Sequence, residues 1–179
     1  MKTSPWRGAL AGLAGGIVAS FAMNRVHALW TTVEKGEEAA RRKKEQGGQL
    51  EKGRQQRQGG SEDEGSATEK AADGLAGLFD VELDRSDRKT AGSLLHYTFG
   101  GAVGAIYGAA AEIAPAVTNG AGVPFGTSVW LAADEIGTPS AGLAKPPSEY
   151  PLSVHLQSLA AHVAYGAVTE LVRRLLRGR

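Results

Sequence analysis

Six ionisable residues stand inside or at the ends of otherwise apolar stretches: His96, Glu112, Asp134, His155, His162 and Glu170. Imidazoles and carboxylates in that setting suit proton handling. An unperturbed imidazole titrates at about 6.5, and ionisable groups held away from water often mark ion pathways. The plainer reading is that His96 and His162 hydrogen-bond across helices and hold a bundle together. His155, His162 and Thr169 recur every seventh residue and so share a helical face, with Ser158, Tyr165 and Gly166 beside them. His96 and Tyr107 are three turns apart and nearly share another. Histidines on two helices could hold a haem or a metal. No HExxH, GxSxG or Walker loop accompanies them. GGAVGAIYG lacks the preceding strand and acidic partner of a dinucleotide loop, and DVELDRSD lacks the spacing and central glycine of a calcium loop. No enzyme activity, catalytic residue, metal or cofactor is therefore expected.

The elements that must position these groups are apolar and rich in glycine. HYTFGGAVGAIYGAAAE, residues 96–112, carries Gly100, Gly104 and Gly108 at every fourth position, on one face of a helix. Each interior glycine costs a helix in water roughly 0.5–1 kcal/mol relative to alanine. In a bilayer the backbone must satisfy itself, so the helix is enforced. The smooth face then admits a close neighbour. Gly8, Gly12 and Gly16 repeat the pattern in GALAGLAGGIVASFAMNRVHALW, and Gly126 continues it with Gly122. A soluble Gly-rich core helix is the alternative for the central stretch, and a cleaved signal for the first.

The first segment is read as a membrane helix within residues 1–31. Arg25 would cost on the order of 3 kcal/mol at the bilayer centre, so it belongs near an interface, with Trp6 and Trp30 as aromatic anchors. A second segment runs from about Thr90 to Val117, where Pro115 closes or kinks it. The third, Val123 to Ile136, is short for the ~20 residues a span needs; it is a short span, a tilted one, or a re-entrant segment. The fourth, Leu152 to Leu176, ends in Arg173, Arg174, Arg177 and Arg179, a basic anchor that favours the cytoplasm.

Between the apolar ends lies residues 32–90, which hold 12 of the 20 Lys+Arg and 14 of the 19 Asp+Glu. The mean hydropathy of −0.21 thus averages a charged insert with apolar flanks. VEKGEEAARRKKEQ suits a charged helix extending from the first span, with Glu37/Arg41 and Glu38/Arg42 in the favourable i,i+4 order. Residues 47–66 have the composition of a disordered linker. The flanking acids make ARRKKE a solvated face rather than a nucleic-acid patch, and the net charge of +1 carries no nucleic-acid footprint. There is no cysteine, which excludes disulfides and thiol chemistry.

Residues 96–177 resemble the bacterial inner-membrane protein family that includes YagU. The likeness rests on the His96-led helix ending in Ala111, Glu112 and Pro115, and on Gly126, Trp130 and Asp134. It extends to the turn at Thr138, Pro139, Gly142 and Leu143, and to His162, Tyr165, Gly166, Glu170, Arg173 and Arg174 in the last helix. The Gly-rich first helix also fits, whereas the charged insert departs from the family's less charged loop. The resemblance implies a multi-spanning inner-membrane protein loosely linked to acid resistance, and supplies no catalytic residues.

The expected fold is therefore all-α: a multi-spanning transmembrane bundle of about four hydrophobic helices with Gly-zipper packing and a charged, partly disordered insert. Its parts are a first helix in 1–31, a linker in 32–90 that is partly helical or disordered, and further membrane helices in 91–179. Four spans put both termini on one side and leave a 12-cation insert outside, against the positive-inside tendency. Three spans with a re-entrant third segment satisfy the charges better. Four is preferred, with the C-terminus cytoplasmic. Function is read as proton or small-solute handling in acid-stress tolerance, with the bilayer as partner. The alternative is a structural or interaction protein that homo-oligomerises through its Gly repeats and binds partners with its charged loop.

Overall fold

The computed structural model describes residues 4–46 and 66–178. Its order is α1 (Pro5–Gln46), α2 (Ala67–Gly77), α3 (Arg85–Ile113), a 3₁₀ turn (Pro115–Thr118), α4 (Val123–Trp130) continuing as a π-helical turn (Leu131–Gly137), and α5 (Leu152–Arg177). No strand occurs among the described residues, so the all-helical part of the expectation is met. Among those residues one helix segment, Pro5–Arg41, is long and apolar enough to cross a membrane. The multi-spanning expectation does not follow from hydropathy alone, because polar side chains dilute α3 and α5.

The first helix does not stop at residue 31. It runs unbroken to Gln46, since nothing between Thr32 and Gln46 except Gly36 weakens a helix and no proline intervenes. The linker expected over 47–66 lies, except for Ser66, outside the described residues. Ser66 instead starts α2 with a capping box, its hydroxyl accepting from the Glu69 amide while the Glu69 carboxylate accepts from the Ser66 amide. Asp84 caps α3, accepting from the amides of Ser86 and Asp87 at 2.8 Å each. α3 therefore begins inside the charged insert, at Arg85. Pro115 ends it, as expected, and opens the 3₁₀ turn.

α1 lies between α3 and α5 and runs antiparallel to both. A Cβ at Gly8, Gly12 or Gly16 would collide with the carbonyl oxygen of Gly108, Gly104 or Gly100 respectively. In return, Cβ atoms at Gly104 and Gly108 would strike Gly12 and Gly8, and one at Gly100 would strike the Ser20 hydroxyl. The two glycine rows thus face each other within one chain. Gly15 meets the backbone of Thr169 on α5. α4 runs antiparallel to α5, where Gly126 faces the His162 carbonyl and Gly122 that of Gly166. Gly122 also has φ +83°, so this entry to α4 needs glycine for both conformation and space. Taken in order, α1, α3, α4 and α5 alternate in direction, so α3 and α5 run parallel, and Ser4 and Arg177 lie at the same end.

Burial is inverted relative to a water-soluble bundle. The buried apolar side chains are Ala11, Ala19, Met23, Ala72, Tyr107, Ala111, Ala161 and Tyr165. No Leu, Ile, Val, Phe or Trp is buried among the described residues. Ile106, Ile113, Leu152 and Leu175 are each 70% exposed or more. Glu112, Glu170, Thr169, Ser20, His162 and Arg173 are buried instead.

Candidate functional site

Two polar clusters occupy the bundle. The first joins the C-terminal ends of α3 and α5. The Glu170 carboxylate accepts from Arg173 Nε at 2.6 Å and Nη2 at 2.9 Å, from Arg174 Nε at 2.6 Å, and from the Tyr107 hydroxyl at 3.0 Å. The i,i+3 and i,i+4 spacings on α5 bring the two arginines to it. Glu112 accepts from Arg177 Nε at 2.9 Å and Nη2 at 3.2 Å. It also accepts from the Ser4 amide at 3.4 Å, which ties the start of α1 to the same point. Tyr107 stacks on Phe125 with centroids 4.1 Å apart. Glu112, Glu170 and Arg173 are buried while Arg174 is 44% exposed, so bidentate pairing neutralises the two buried carboxylates and leaves the excess positive charge toward solvent.

The second cluster lies toward the other end, about 24 Å away if sixteen residues of α3 separate His96 from Glu112 at 1.5 Å each. His162 donates from Nδ1 to the Ser158 carbonyl at 3.0 Å, with Asp134 Oδ2 3.7 Å from the same nitrogen. The Ser158 hydroxyl donates to Asp134. Asp134 is carried by the π-helical turn; such turns are rare and frequent at functional sites. His96 lies near enough to His162 and Asp134 to interact with both electrostatically, as does His27 of α1. His96 Nε2 is buried with no hydrogen-bond partner, as is Trp130 Nε1.

Beside these groups is a cavity of about 480 Å³. Ser20, Leu95, Phe99, Val129, Ala133 and Tyr165 form part of its wall, α2 contributes Ala67, Thr68, Ala71 and Leu75, and His96, Asp134 and His162 supply its ionisable groups. Tyr165 is fixed by donating to the Gly100 carbonyl at 2.6 Å. No cluster of three or more histidine or acidic side chains with metal-binding geometry occurs among the described residues.

The six ionisable residues picked out in the sequence thus separate. His96, Asp134 and His162 meet at the cavity. Glu112 and Glu170 belong to the arginine cluster, where Glu112 is the buried partner of Arg177. His155 meets the same π-helical turn but does not line this cavity: it bonds Glu135 at 2.7 Å and the Pro147 carbonyl at 3.0 Å. Sequence reasoning took the terminal arginines as a surface anchor and missed their carboxylate partners. The Glu170–Arg173–Arg174 spacing was a readable signal; the pairing of Glu112 with Arg177, 65 positions away, was not.

The family described as "Protein of unknown function (DUF1440)" matches residues 79–171, just over half of the chain. The chain belongs to this family. The part matched to DUF1440 carries all of α3 and α4, and α5 as far as Leu171, and so holds His96, Asp134, His162, Glu112 and Glu170. α1 and α2, which complete the cavity wall, lie outside the DUF1440 match, as do Arg173, Arg174 and Arg177. No curated protein and no solved structure matches the chain.

Proposed function

We propose that this is a multi-spanning inner-membrane protein, and that its His/Asp cluster handles protons or a small solute. Four helices cross in this reading: α1, α3, α4 with its π-helical turn, and α5. The observation that carries it is the inverted burial. In water, exposed Leu, Ile, Val and Phe forfeit roughly 25 cal/mol for each Å² left uncovered, while buried charges are costly. In lipid those side chains face a solvent of their own kind. Close Gly/Ala packing and internal polar contacts then hold the helices together. α3 has 29 residues and α5 has 26, enough for the ~20 that a crossing takes. α4 with its π-helical turn is shorter and leans on α5.

The alternating directions favour four spans over three. Arg7, Arg173, Arg174 and Arg177 then cluster at one end, which the positive-inside tendency makes cytoplasmic. The charged end of α1, together with α2, faces the opposite side. The resemblance to the YagU-like family extends this reading to acid-stress tolerance, with the bilayer as principal partner and no enzymatic role. Oligomerisation through the glycines is the weaker reading, because Gly8, Gly12, Gly16, Gly100, Gly104, Gly108 and Gly126 all face backbone or side chains of their own chain.

The test uses the cysteine-free background. Ser140→Cys is expected to react with a membrane-impermeant maleimide in intact cells, and Asn119→Cys only after permeabilisation. Labelling of both from outside, or release of the protein by alkaline carbonate, overturns the topology. Proton flux in proteoliposomes that is unchanged in the His96→Ala/His162→Ala double variant removes the proton-handling part.

A further inference from the structure

The cavity at the His/Asp cluster is the feature with the most unspent chemistry. Its volume of about 480 Å³ falls within the roughly 300–1,000 Å³ typical of small-molecule sites. Most of its wall is apolar, including Leu95, Phe99 and Val129, with α2 laid across it through Ala71 and Leu75. Its ionisable side chains are His96, Asp134 and His162; the hydroxyls of Ser20, Thr138 and Tyr165 also line it but are spent on backbone carbonyls, and that of Thr68 on Ser66. An apolar body with a single polar end is the shape such a lining selects.

The polar end can be specified further. His162 uses Nδ1 on the Ser158 carbonyl, so in its neutral form Nε2 is an acceptor. One Asp134 oxygen accepts from Ser158, which leaves the carboxylate further acceptor capacity. His96 Nε2 has no partner and is shut off from solvent, and an unmet polar atom in a dry site costs about 1–3 kcal/mol. A hydroxyl both donates and accepts, so it satisfies an imidazole nitrogen in either tautomer and a carboxylate as well. A carbonyl only accepts, and an ammonium only donates.

We propose that this cavity binds a lipophilic molecule carrying a hydroxyl group, an alkyl phenol or alcohol taken from the bilayer. Its chain lies against Leu95, Phe99 and Val129, and its hydroxyl lies between His96 and His162. α2 forms the outer wall. It is pinned to α3 by Arg88 Nε on Asp73 at 2.9 Å and by close passage of Glu69 over Gly92.

The proposal rests on reading these residues as a solute-handling site, and the two fail separately. Saturable binding without proton or solute flux would remove the handling and leave the site. The experiment is titration of the full chain in lipid nanodiscs with 4-octylphenol and with 4-octylanisole, using empty nanodiscs as the partition reference. The ether has nearly the same shape without the donor. The expected result is saturable binding of the phenol, with the ether about tenfold weaker, as the loss of one hydrogen bond predicts. His96→Ala/His162→Ala should erase that preference. Ala71→Phe, which fills the cavity from the α2 side, should abolish binding of both. Equal affinities, no saturable binding above empty nanodiscs, or binding that survives Ala71→Phe would overturn the proposal. If the double histidine variant does not fold, as judged by circular dichroism, Ala71→Phe decides.

Discussion

At one end of the bundle two carboxylates, Glu112 and Glu170, meet the guanidinium groups of Arg173, Arg174 and Arg177. At the other, one carboxylate, Asp134, meets Ser158 and His162, with His96 nearby. The first cluster is densely paired: Glu170 accepts four hydrogen bonds from three side chains, and Arg173, whose Nη1 has no partner, still holds Glu170 through its other two nitrogens. The second leaves His96 Nε2 unmet and opens onto a cavity. Satisfied charge is a clamp, because any rearrangement must expose it unpaired. An unsatisfied group beside free volume is a place where something else can bind. In the proposed reading the arginine end is therefore structural and the histidine end is the binding site.

The sharpest way to break this contrast is to remove one carboxylate from each end. Glu170→Ala leaves Arg173, which is buried, and Arg174 without their anion, and Tyr107 without its acceptor. A loss of about 3–5 kcal/mol is expected for breaking a buried pair on one side. Asp134→Ala removes a side chain that is 39% exposed and should cost about 1 kcal/mol, the worth of one hydrogen bond. Unfolding midpoints in mild detergent measure both. Equal losses would erase the division between clamp and site.

Next in size is the seam that couples the two ends. Gly104→Leu drives a side chain into the Gly12 backbone, where neither helix has a flexible group to yield. Overpacking typically costs 1–3 kcal/mol, and backbone against backbone belongs at the upper end of about that range. Gly36→Ala is the counterpart. It lies in α1 with nothing within 4 Å, and should gain roughly 0.5–1 kcal/mol from better helix propensity. If Gly104→Leu were as harmless as Gly36→Ala, the glycine rows would not be in contact.

How much of this was legible follows from the range of each interaction. The glycine repeats predicted close helix packing because a four-residue period is local. Which rows would face each other was not, since pairing Gly8 with Gly108 depends on the whole chain path. Glu170 with Arg173 and Arg174 was legible by spacing, whereas Glu112 with Arg177 was not. His155 and His162 share a face by periodicity, yet His155 is engaged by Glu135 and the Pro147 carbonyl and does not line the cavity. Periodicity places a residue on a helix and says nothing of the loop beside it. The π-helical turn that carries Asp134 left no mark in the sequence that spacing could read. The long charged tail of α1 was visible as a helical composition, while its continuity through residue 31 was decided by the lack of any breaker.

A smaller effect belongs to His162→Ala. The ring loses its bond to the Ser158 carbonyl, worth about 1 kcal/mol, and the Gly126 backbone still rests on the unchanged carbonyl of residue 162. Stability should hardly move while phenol preference falls. A variant that unfolds, with midpoints as low as Glu170→Ala, would place His162 with the clamp.

The smallest expected effect concerns the outer wall of the cavity. Arg88 and Asp73 are 42% and 38% exposed, so their bridge contributes about 0–1 kcal/mol. Asp73→Ala should therefore leave the global midpoint where it is. Its influence is local, because α2 rests chiefly on α3, with Leu75 half uncovered and Leu78 and Phe79, just past its end, largely so. Amide exchange across α2 should quicken several-fold, while exchange in α3 and α5 near Glu112 and Glu170 stays unchanged. If the cavity is entered past α2, the same substitution should raise the association and dissociation rates of 4-octylphenol together and leave its affinity within about twofold. Faster exchange with unaltered probe kinetics would put the entrance on another side, between helices that the arginine clamp holds fixed. That result would bind the two ends together again, since opening the site would then strain the clamp.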